Sequence, residues 1–313
     1  MNAHRPSLDV SQWPRVNVGP GNRDASSWPV VGEENRGLRE KRWVRAPDQT
    51  IWLRKRHRPS RPHEPAIEVF ALELARACQI EAAQATLASW RDSDGSAAHG
   101  VCVLRFLQRG EDLVGGQEVL RSVDPAYNHE DRPTHTLGRV LAALRHHEAQ
   151  SEHALVEPFC RVLLFDAWIG NGDRHPGNWS LVRRDGSMRF SPMYDPAASL
   201  GAELQPSAKE LDEPPRTKPA QILDYARRLD RYVTGCPSGF GDGQRLVPLE
   251  TVVREAVARG LLPCDLLATF SSALRGAAPS LLRTFDEGAL PEVRKRFILA
   301  ILARRLVWLQ GIT

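Results

Sequence analysis

The amino-acid sequence predicts an α+β fold, with a small mixed unit on the N-terminal side and a mainly helical unit after it. Two short runs rich in β-branched and aromatic residues, Lys41–Arg45 and Thr50–Arg54, flank a Pro-Asp turn and predict a β-hairpin. Apolar residues then recur at helical spacing from Glu64 to about Gln79. Val101–Leu107 is an apolar run between glycines and predicts a buried strand.

The longer C-terminal part shows helical patterns that are interrupted by one hairpin and one loop. The Asp185–Gly186 pair stands between two strand-like runs and predicts a tight hairpin. A loop rich in proline and charge, Gln205–Pro219, precedes a terminal set of helices. Helices are expected at about 136–145, 156–169, 220–234, 247–259, 262–276 and 291–310. The predicted organisation is an irregular arm at 1–27, an N-terminal lobe at 28–110 and a C-terminal lobe at 111–313.

Composition limits the classes of protein to which the chain can belong. Its 313 residues, 42% of them apolar, can form a sizeable core, and a net charge of +4 is small for this length. The basic cluster Arg54–Arg61 is therefore interpreted as a solvated face, and direct nucleic-acid binding is not expected. Five cysteines lie far apart without a CxxC pair, and no signal peptide or membrane-length apolar stretch is seen. We expect a cytoplasmic protein with reduced thiols and no membrane contact.

The glycine-rich segment Gly170–Asn178 (GNGDRHPGN) carries the main candidate functional residues. Phosphoryl transfer from ATP needs a carboxylate that orients the acceptor hydroxyl and oxygen ligands that hold Mg²⁺. Asp173 and Asn178 have four residues between them, the separation found in the HRDxxxxN loop of protein kinases. Asp195 follows the predicted hairpin, from where it can fold back over this loop as a second metal ligand.

An alternative is that these polar residues only stabilise a turn through bonds to the backbone. The apolar helix before the segment and the hairpin and second aspartate after it favour the catalytic interpretation. His175 has no second His or Cys at zinc-ligand spacing, so it is expected to brace the loop beside the nucleotide rather than to bind zinc.

Lys55, near the end of the first hairpin, and Glu68, early in the following helix, form a second candidate group. Protein kinases place a strand lysine and a helix glutamate in this order, and the pair positions the phosphates of ATP. Gly37 is a candidate for a phosphate-covering turn before the first strand. Competing residues of the same charge are Arg54, Arg56 and Glu73.

Five stretches of the chain resemble, in order, the C-terminal kinase domain of the HipA-like family, bacterial relatives of serine/threonine and phosphoinositide kinases. They are Trp52–Lys55, Glu68–Ala75, His135–Leu144, Phe165–Asn178 and Ser191–Gly201. The resemblance covers about residues 37–205. It implies a two-lobed protein-kinase-like fold with ATP and Mg²⁺ in the cleft between the lobes.

The same resemblance implies roles for individual residues. Asp173 would be the catalytic aspartate, Lys55 would contact the ATP phosphates, and Asn178 and Asp195 would bind Mg²⁺. The adenine would face the hinge segment Leu104–Leu107, formed in part by Leu104, Phe106 and Leu107. Typical HipA toxins also carry a small N-terminal subdomain that contacts a DNA-binding antitoxin, and the arm at 1–27 does not resemble it. An antitoxin or other regulatory partner therefore stays an open expectation.

These features favour an ATP- and Mg²⁺-dependent kinase that acts on serine or threonine hydroxyls of a protein. A lipid or small-molecule kinase is an alternative, because phosphoinositide kinases also use a DRH-containing loop. A non-catalytic nucleotide-binding module is a further alternative, and so is a DNA-binding regulator that acts through Arg54–Arg61.

Overall fold

The computed structural model of the chain describes residues 21–33, 40–203, 229–263 and 265–313. The N-terminal half is built on a six-stranded sheet. Its strands are β1 (Asn22–Asp24), β2 (Val30–Glu33), β3 (Lys41–Arg45), β4 (Ile51–Arg56), β5 (Ala85–Arg91) and β6 (Ala97–Leu104). The spatial order is β1-β5-β6-β4-β3-β2, in which β1 runs parallel to β5 and the other neighbours are antiparallel.

Helix α1 (Glu64–Ala77) lies against one face of this sheet. Its apolar residues recur every three or four positions, which gives the helix a continuous apolar face. Ile67 and Phe70 are fully buried and belong to the same core as Val101 and Val103 of β6. The α1 face is therefore the inner face of the sheet, on which the cores of the two halves of the molecule join.

The opposite face of the sheet has its own apolar cluster. Trp28, Trp52 and Trp90 form it together with smaller residues from β3, β5 and β6. The guanidinium group of Arg54 lies 4.7 Å from the centroid of Trp90 and so covers this outer cluster. Because side chains alternate along a strand, Lys55 points to the inner face.

The C-terminal half contains two small sheets and most of the helices. One sheet joins β7 (Asp112–Gly115), β8 (Ser180–Arg184) and β9 (Ser187–Phe190), and the other joins β10 (Pro237–Gly241) and β11 (Leu246–Pro248). The helices are α2 (Gly116–Val123), α3 (Leu137–Glu148), α4 (Val156–Ile169), α5 (Leu249–Ala258), α6 (Asp265–Arg275), α7 (Ala277–Leu282) and α8 (Glu292–Gln310). None of the helices in the described ranges has the length and hydropathy needed to span a bilayer.

Helix α4 is the centre of the C-terminal core. It is apolar on nearly all sides, and Phe159, Phe165 and Trp168 are fully buried against neighbouring helices and strands. Trp168 stacks on Phe270 of α6 with ring centroids 4.4 Å apart, and its indole N–H donates to the Leu302 carbonyl of α8. This packing fixes the C-terminal end of α4, from which the glycine-rich loop begins.

The predicted α+β fold is confirmed, and most predicted elements are present at similar bounds. The strand expected at Val101–Leu107 lies instead at Ala97–Leu104, because residues 105–110 leave the sheet. Part of the arm expected to be irregular is a strand, since Asn22–Asp24 pairs with β5. The loop Gln205–Pro219, Gly37 and most of the helix expected at 220–234 lie outside the described residues, although 229–234 are helical.

Candidate active site

A buried ion pair joins the sheet to helix α1. The ammonium group of Lys55 lies 2.6 Å from Glu68 Oε1, and the two side chains are 3% and 0% exposed. Arg54 and Arg56 belong to the other face of β4, where Arg56 donates to Asp92 at 2.7 Å. Of the three basic neighbours in the sequence, Lys55 is therefore the one on the inner face. Removing one partner of a buried ion pair typically costs about 3–5 kcal/mol.

Asp195 of the C-terminal half reaches this ion pair. Its Oδ1 lies 3.3 Å from the Lys55 ammonium group, and its Oδ2 lies 3.8 Å from the ammonium group of Lys41. The backbone of Asp195 is in the left-handed region, at φ 55°, which is uncommon for a residue other than glycine. Met193, two residues earlier, bonds by its backbone to Glu81 and Ala83 and so ties this segment to the start of β5.

The glycine-rich loop follows directly from α4. Gly170 ends the helix in the left-handed conformation, at φ 68°. Asp173 then projects outward with a side chain that is 45% exposed, 3.9 Å from both the Arg132 guanidinium group and the His175 ring. Asn178 is buried, and its Nδ2 donates to the Asp173 carbonyl at 2.7 Å, which leaves the amide oxygen as its ligand atom.

His175 braces the loop through hydrogen bonds to its backbone. Its ring Nδ1 accepts a hydrogen bond from the backbone N–H of Gly177 at 2.9 Å, and its backbone N–H donates to the Asp173 carbonyl. Burial lowers the pKa of His175, and the neighbouring carboxylate of Asp173 partly offsets this shift. The ring therefore favours the neutral state that its acceptor role requires.

A buried guanidinium group joins the loop to the segment before Asp195. Arg174 donates to both carboxylate oxygens of Asp166 in α4, at 2.6 and 2.8 Å. The same side chain donates to the backbone carbonyls of Asn178 and Tyr194. Burial alone would lower the pKa of Arg174, but Asp166 more than offsets it, so the pKa is raised. Arg174 thus fixes the backbone next to both predicted metal ligands.

The predicted hinge lies at the end of β6. Leu104 is buried in the outer cluster, so a contact between this residue and an adenine would have to use its backbone. Phe106 and Leu107 are half-buried, and Phe106 stacks on Tyr194 with ring centroids 6.2 Å apart. The Tyr194 hydroxyl forms a hydrogen bond with Ser180 Oγ at 2.5 Å.

The residues predicted from the sequence are thus brought together from distant parts of the chain. Lys55 contacts both Glu68 and Asp195, and Asp173 and Asn178 share one loop. Arg174 joins this loop to the backbone of Tyr194, next to Asp195. Three residues of this region were not predicted: Lys41, Asp166 and Arg174. Lys41 could have been found from the hairpin register, since it is the direct cross-strand partner of Lys55.

The donor atoms fit Mg²⁺ bound together with phosphates. Asp195 and Asn178 offer hard oxygen ligands, which Mg²⁺ prefers. Within the described ranges no group of three or more His, Cys, Asp or Glu side chains could hold a metal ion. A dedicated cage is not needed, because Mg²⁺ commonly takes one or two protein ligands, with water and substrate phosphates completing its shell.

The site and the fold define a protein-kinase-like molecule, and solved structures share this architecture. The proinflammatory kinase CtkA of Helicobacter pylori matches with a TM-score of 0.72, covering 93% of this chain and 96% of its own, at 14% identity. HipA of Shewanella oneidensis MR-1, solved in a complex with HipB and operator DNA, matches with a TM-score of 0.50. That match covers 91% of this chain and 68% of HipA, at 16% identity.

The family is identified by sequence. A family model described as the HipA-like C-terminal domain matches residues 35–232, well over half of the chain. The chain therefore belongs to the HipA-like family, as its motifs indicated. No curated protein matches it in a sequence comparison.

Proposed function

We propose that this chain transfers the γ-phosphoryl group of ATP, with Mg²⁺, to a serine or threonine hydroxyl of a protein. The observation that carries the proposal is the contact of Lys55, in its buried pair with Glu68, with Asp195 at 3.3 Å. Arg174 joins the segment before Asp195 to the loop that holds Asp173 and Asn178. Membership of the HipA-like family and the kinase fold support a kinase-type phosphotransferase.

In the proposed reaction each residue has a separate task. Lys55, held by Glu68, donates to the nucleotide phosphates, while Asn178 and Asp195 supply the oxygen ligands for the metal. Mg²⁺ would neutralise negative charge on the phosphates when bound. The acceptor oxygen attacks the γ-phosphorus as the bond to the β,γ-bridging oxygen breaks, and Asp173 orients the hydroxyl and accepts its proton.

The exposure of Asp173 favours a macromolecular acceptor. Its carboxylate is 45% exposed, and Arg132 beside it is also exposed. A catalytic group at the surface can meet a hydroxyl on a loop of another protein, whereas small-molecule sites enclose most of the ligand. A protein is therefore the proposed substrate. Phosphorylation of a lipid or a small molecule instead would be detected by the experiment below.

The acceptor can be found by phosphoproteomics after expression of the wild type or Asp173→Ala in the same host. We expect phosphoserine or phosphothreonine sites that appear with the wild type and are absent with the variant at equal expression. If radiolabel from γ-labelled ATP enters only the lipid or small-molecule fraction, the protein-kinase proposal is wrong. If both forms give identical phosphorylation of every fraction, Asp173 has no role in transfer.

A further inference from the structure

A second lysine lies beside the predicted phosphate-binding lysine. Lys41 of β3 and Lys55 of β4 are direct cross-strand partners, so their side chains leave the same face of the sheet. Two ammonium groups placed side by side repel each other, and like charges at opposed strand positions destabilise a sheet. Here the Asp195 carboxylate lies between them, 3.3 Å from Lys55 and 3.8 Å from Lys41.

The charges of this group show what Lys41 contributes. Lys55 is 2.6 Å from Glu68 and is compensated by that carboxylate. The side chain of Lys41 is only 14% exposed, and its positive charge offsets the negative charge of Asp195. If Lys41 were absent, Lys55, Glu68 and Asp195 together would carry a surplus negative charge, which would repel a polyphosphate.

Among the residues that the structure describes, two other cations near this group, Arg58 and Arg42, are engaged elsewhere. Arg58 lies near enough for Asp195 to help raise its pKa, after the larger contribution of its hydrogen bonds with Glu64. Those hydrogen bonds hold its guanidinium group at the start of α1. Arg42 alternates to the other face of β3, where it pairs with Glu40 at 2.9 Å.

We propose that Lys41 is a second phosphate-binding residue of the nucleotide site, and that it and Lys55 hold Asp195 until nucleotide binds. When ATP binds, its phosphates accept hydrogen bonds from both ammonium groups in place of Asp195. The Asp195 carboxylate is then available as a metal ligand. The inference rests on the proposed function, because it assumes that ATP occupies this cleft. It assigns the charge that balances Asp195 in the phosphate site to Lys41, because Lys55 is already compensated by Glu68.

Isothermal titration calorimetry with ATP and with adenosine, both in Mg²⁺, tests the binding role. Lys41→Met keeps the aliphatic stem and removes the charge, Lys41→Arg keeps a charge, and Arg42→Met is the matched control on the other face. We expect Lys41→Met to weaken ATP binding by about 10- to 100-fold, the effect of losing one charge-assisted hydrogen bond. Adenosine binding should stay within about twofold, and Lys41→Arg and Arg42→Met should bind ATP like the wild type.

A second measurement tests the hold on Asp195. In metal-free buffer, Asp195→Asn should tighten ATP binding, because the lysines no longer have a competing carboxylate. The gain should shrink when Lys41→Met is combined with it, as a double-mutant cycle measures. Thermal melting of every variant confirms that the compared proteins are folded.

The inference is wrong if Lys41→Met binds ATP as tightly as the wild type. It is also wrong if Lys41→Met loses ATP and adenosine affinity equally, since that indicates a structural role. The inference is also wrong if the wild type binds neither ATP nor adenosine. Failure of the proposed function gives a different result: a wild type that binds ATP but transfers no phosphoryl group, in which the effect of Lys41→Met on binding still decides the inference.

Discussion

Replacing Arg174 by methionine removes the buried cation that joins α4, the glycine-rich loop and the segment before Asp195. The guanidinium group is 2% exposed and bonds Asp166 twice, at 2.6 and 2.8 Å. Arg174→Met leaves the carboxylate of Asp166 buried without its cation. Within the part of the chain that the structure describes, its remaining side-chain hydrogen bond is the one from the Asn171 amide, at 2.8 Å. Breaking a buried pair in this way costs about 3–5 kcal/mol, a large part of the 5–15 kcal/mol that stabilises a typical protein.

Urea denaturation of the wild type and Arg174→Met measures this cost. We expect a fall in the free energy of unfolding of about 3–5 kcal/mol. The double variant Asp166→Leu, Arg174→Met replaces the pair by apolar residues of similar size and should recover most of this stability. It should not recover phosphoryl transfer, because the carbonyls of Asn178 and Tyr194 still lack their donor. A loss below about 1 kcal/mol in Arg174→Met, which is the range of exposed ion pairs, would show that the Arg174–Asp166 pair does not contribute as a buried pair.

Three further predictions concern the site and the pH dependence of stability. Asp173→Asn should lower phosphoryl transfer by about 100-fold or more while calorimetry shows ATP binding near the wild-type value. Asp195→Asn should raise the Mg²⁺ concentration needed for half-maximal transfer, as a metal titration at fixed ATP measures. Burial lowers the pKa of His135 from 6.5 to about 4. Below pH 6.5 the unfolded chain therefore binds a proton at this residue more readily than the folded protein does. The free energy of unfolding should fall by up to about 3 kcal/mol as the pH falls from 6.5 toward 4. His135→Phe should flatten that part of the curve of unfolding free energy against pH, and an unchanged slope would show that other groups cause it.

The hydrogen bonds around His135 also favour its neutral form over its protonated form. Its Nδ1 donates to the Gly239 carbonyl at 2.7 Å, and its Nε2 faces the Trp179 indole N–H at 3.4 Å. A proton on Nε2 would place two donors against each other. The neutral ring is therefore the state that the surrounding backbone and indole stabilise.

Helices and strands with a clear hydrophobic periodicity, or with a characteristic turn sequence beside them, could be predicted from the sequence. Helix α4 was predicted at 156–169, where the structure has it, because a long apolar run before a glycine defines both ends. The hairpin of β8 and β9 follows from Asp185–Gly186, both of which have positive φ. Strand β5 was missed because its alanines and serine, in ATLASWR, give little β-propensity, and pairing with β6 decides its structure.

The sequence identified most residues of the candidate site, but it did not show which of their side chains are in contact. The motif spacing of protein kinases is matched by Asp173, Asn178 and Asp195. The strand-lysine, helix-glutamate order of a kinase N-terminal lobe is matched by Lys55 and Glu68. Asp166 has no such local signal, and Lys41 is found only through the register of the β3–β4 hairpin. Their positions depend on strand register and on the packing of α4, which bring together residues far apart in the chain. Arg174 stands inside the motif, but only the fold shows that its side chain is buried.

The proposed activity is measured most directly as transfer of label from γ-labelled ATP to the proteins of a cell extract by the purified chain. We predict that the wild type transfers label in Mg²⁺ and stops when the metal is chelated, and that Asp173→Ala transfers none above background. Absence of any transfer by the folded wild type, or equal transfer by Asp173→Ala, would contradict the assignment of this cleft as a phosphotransferase site.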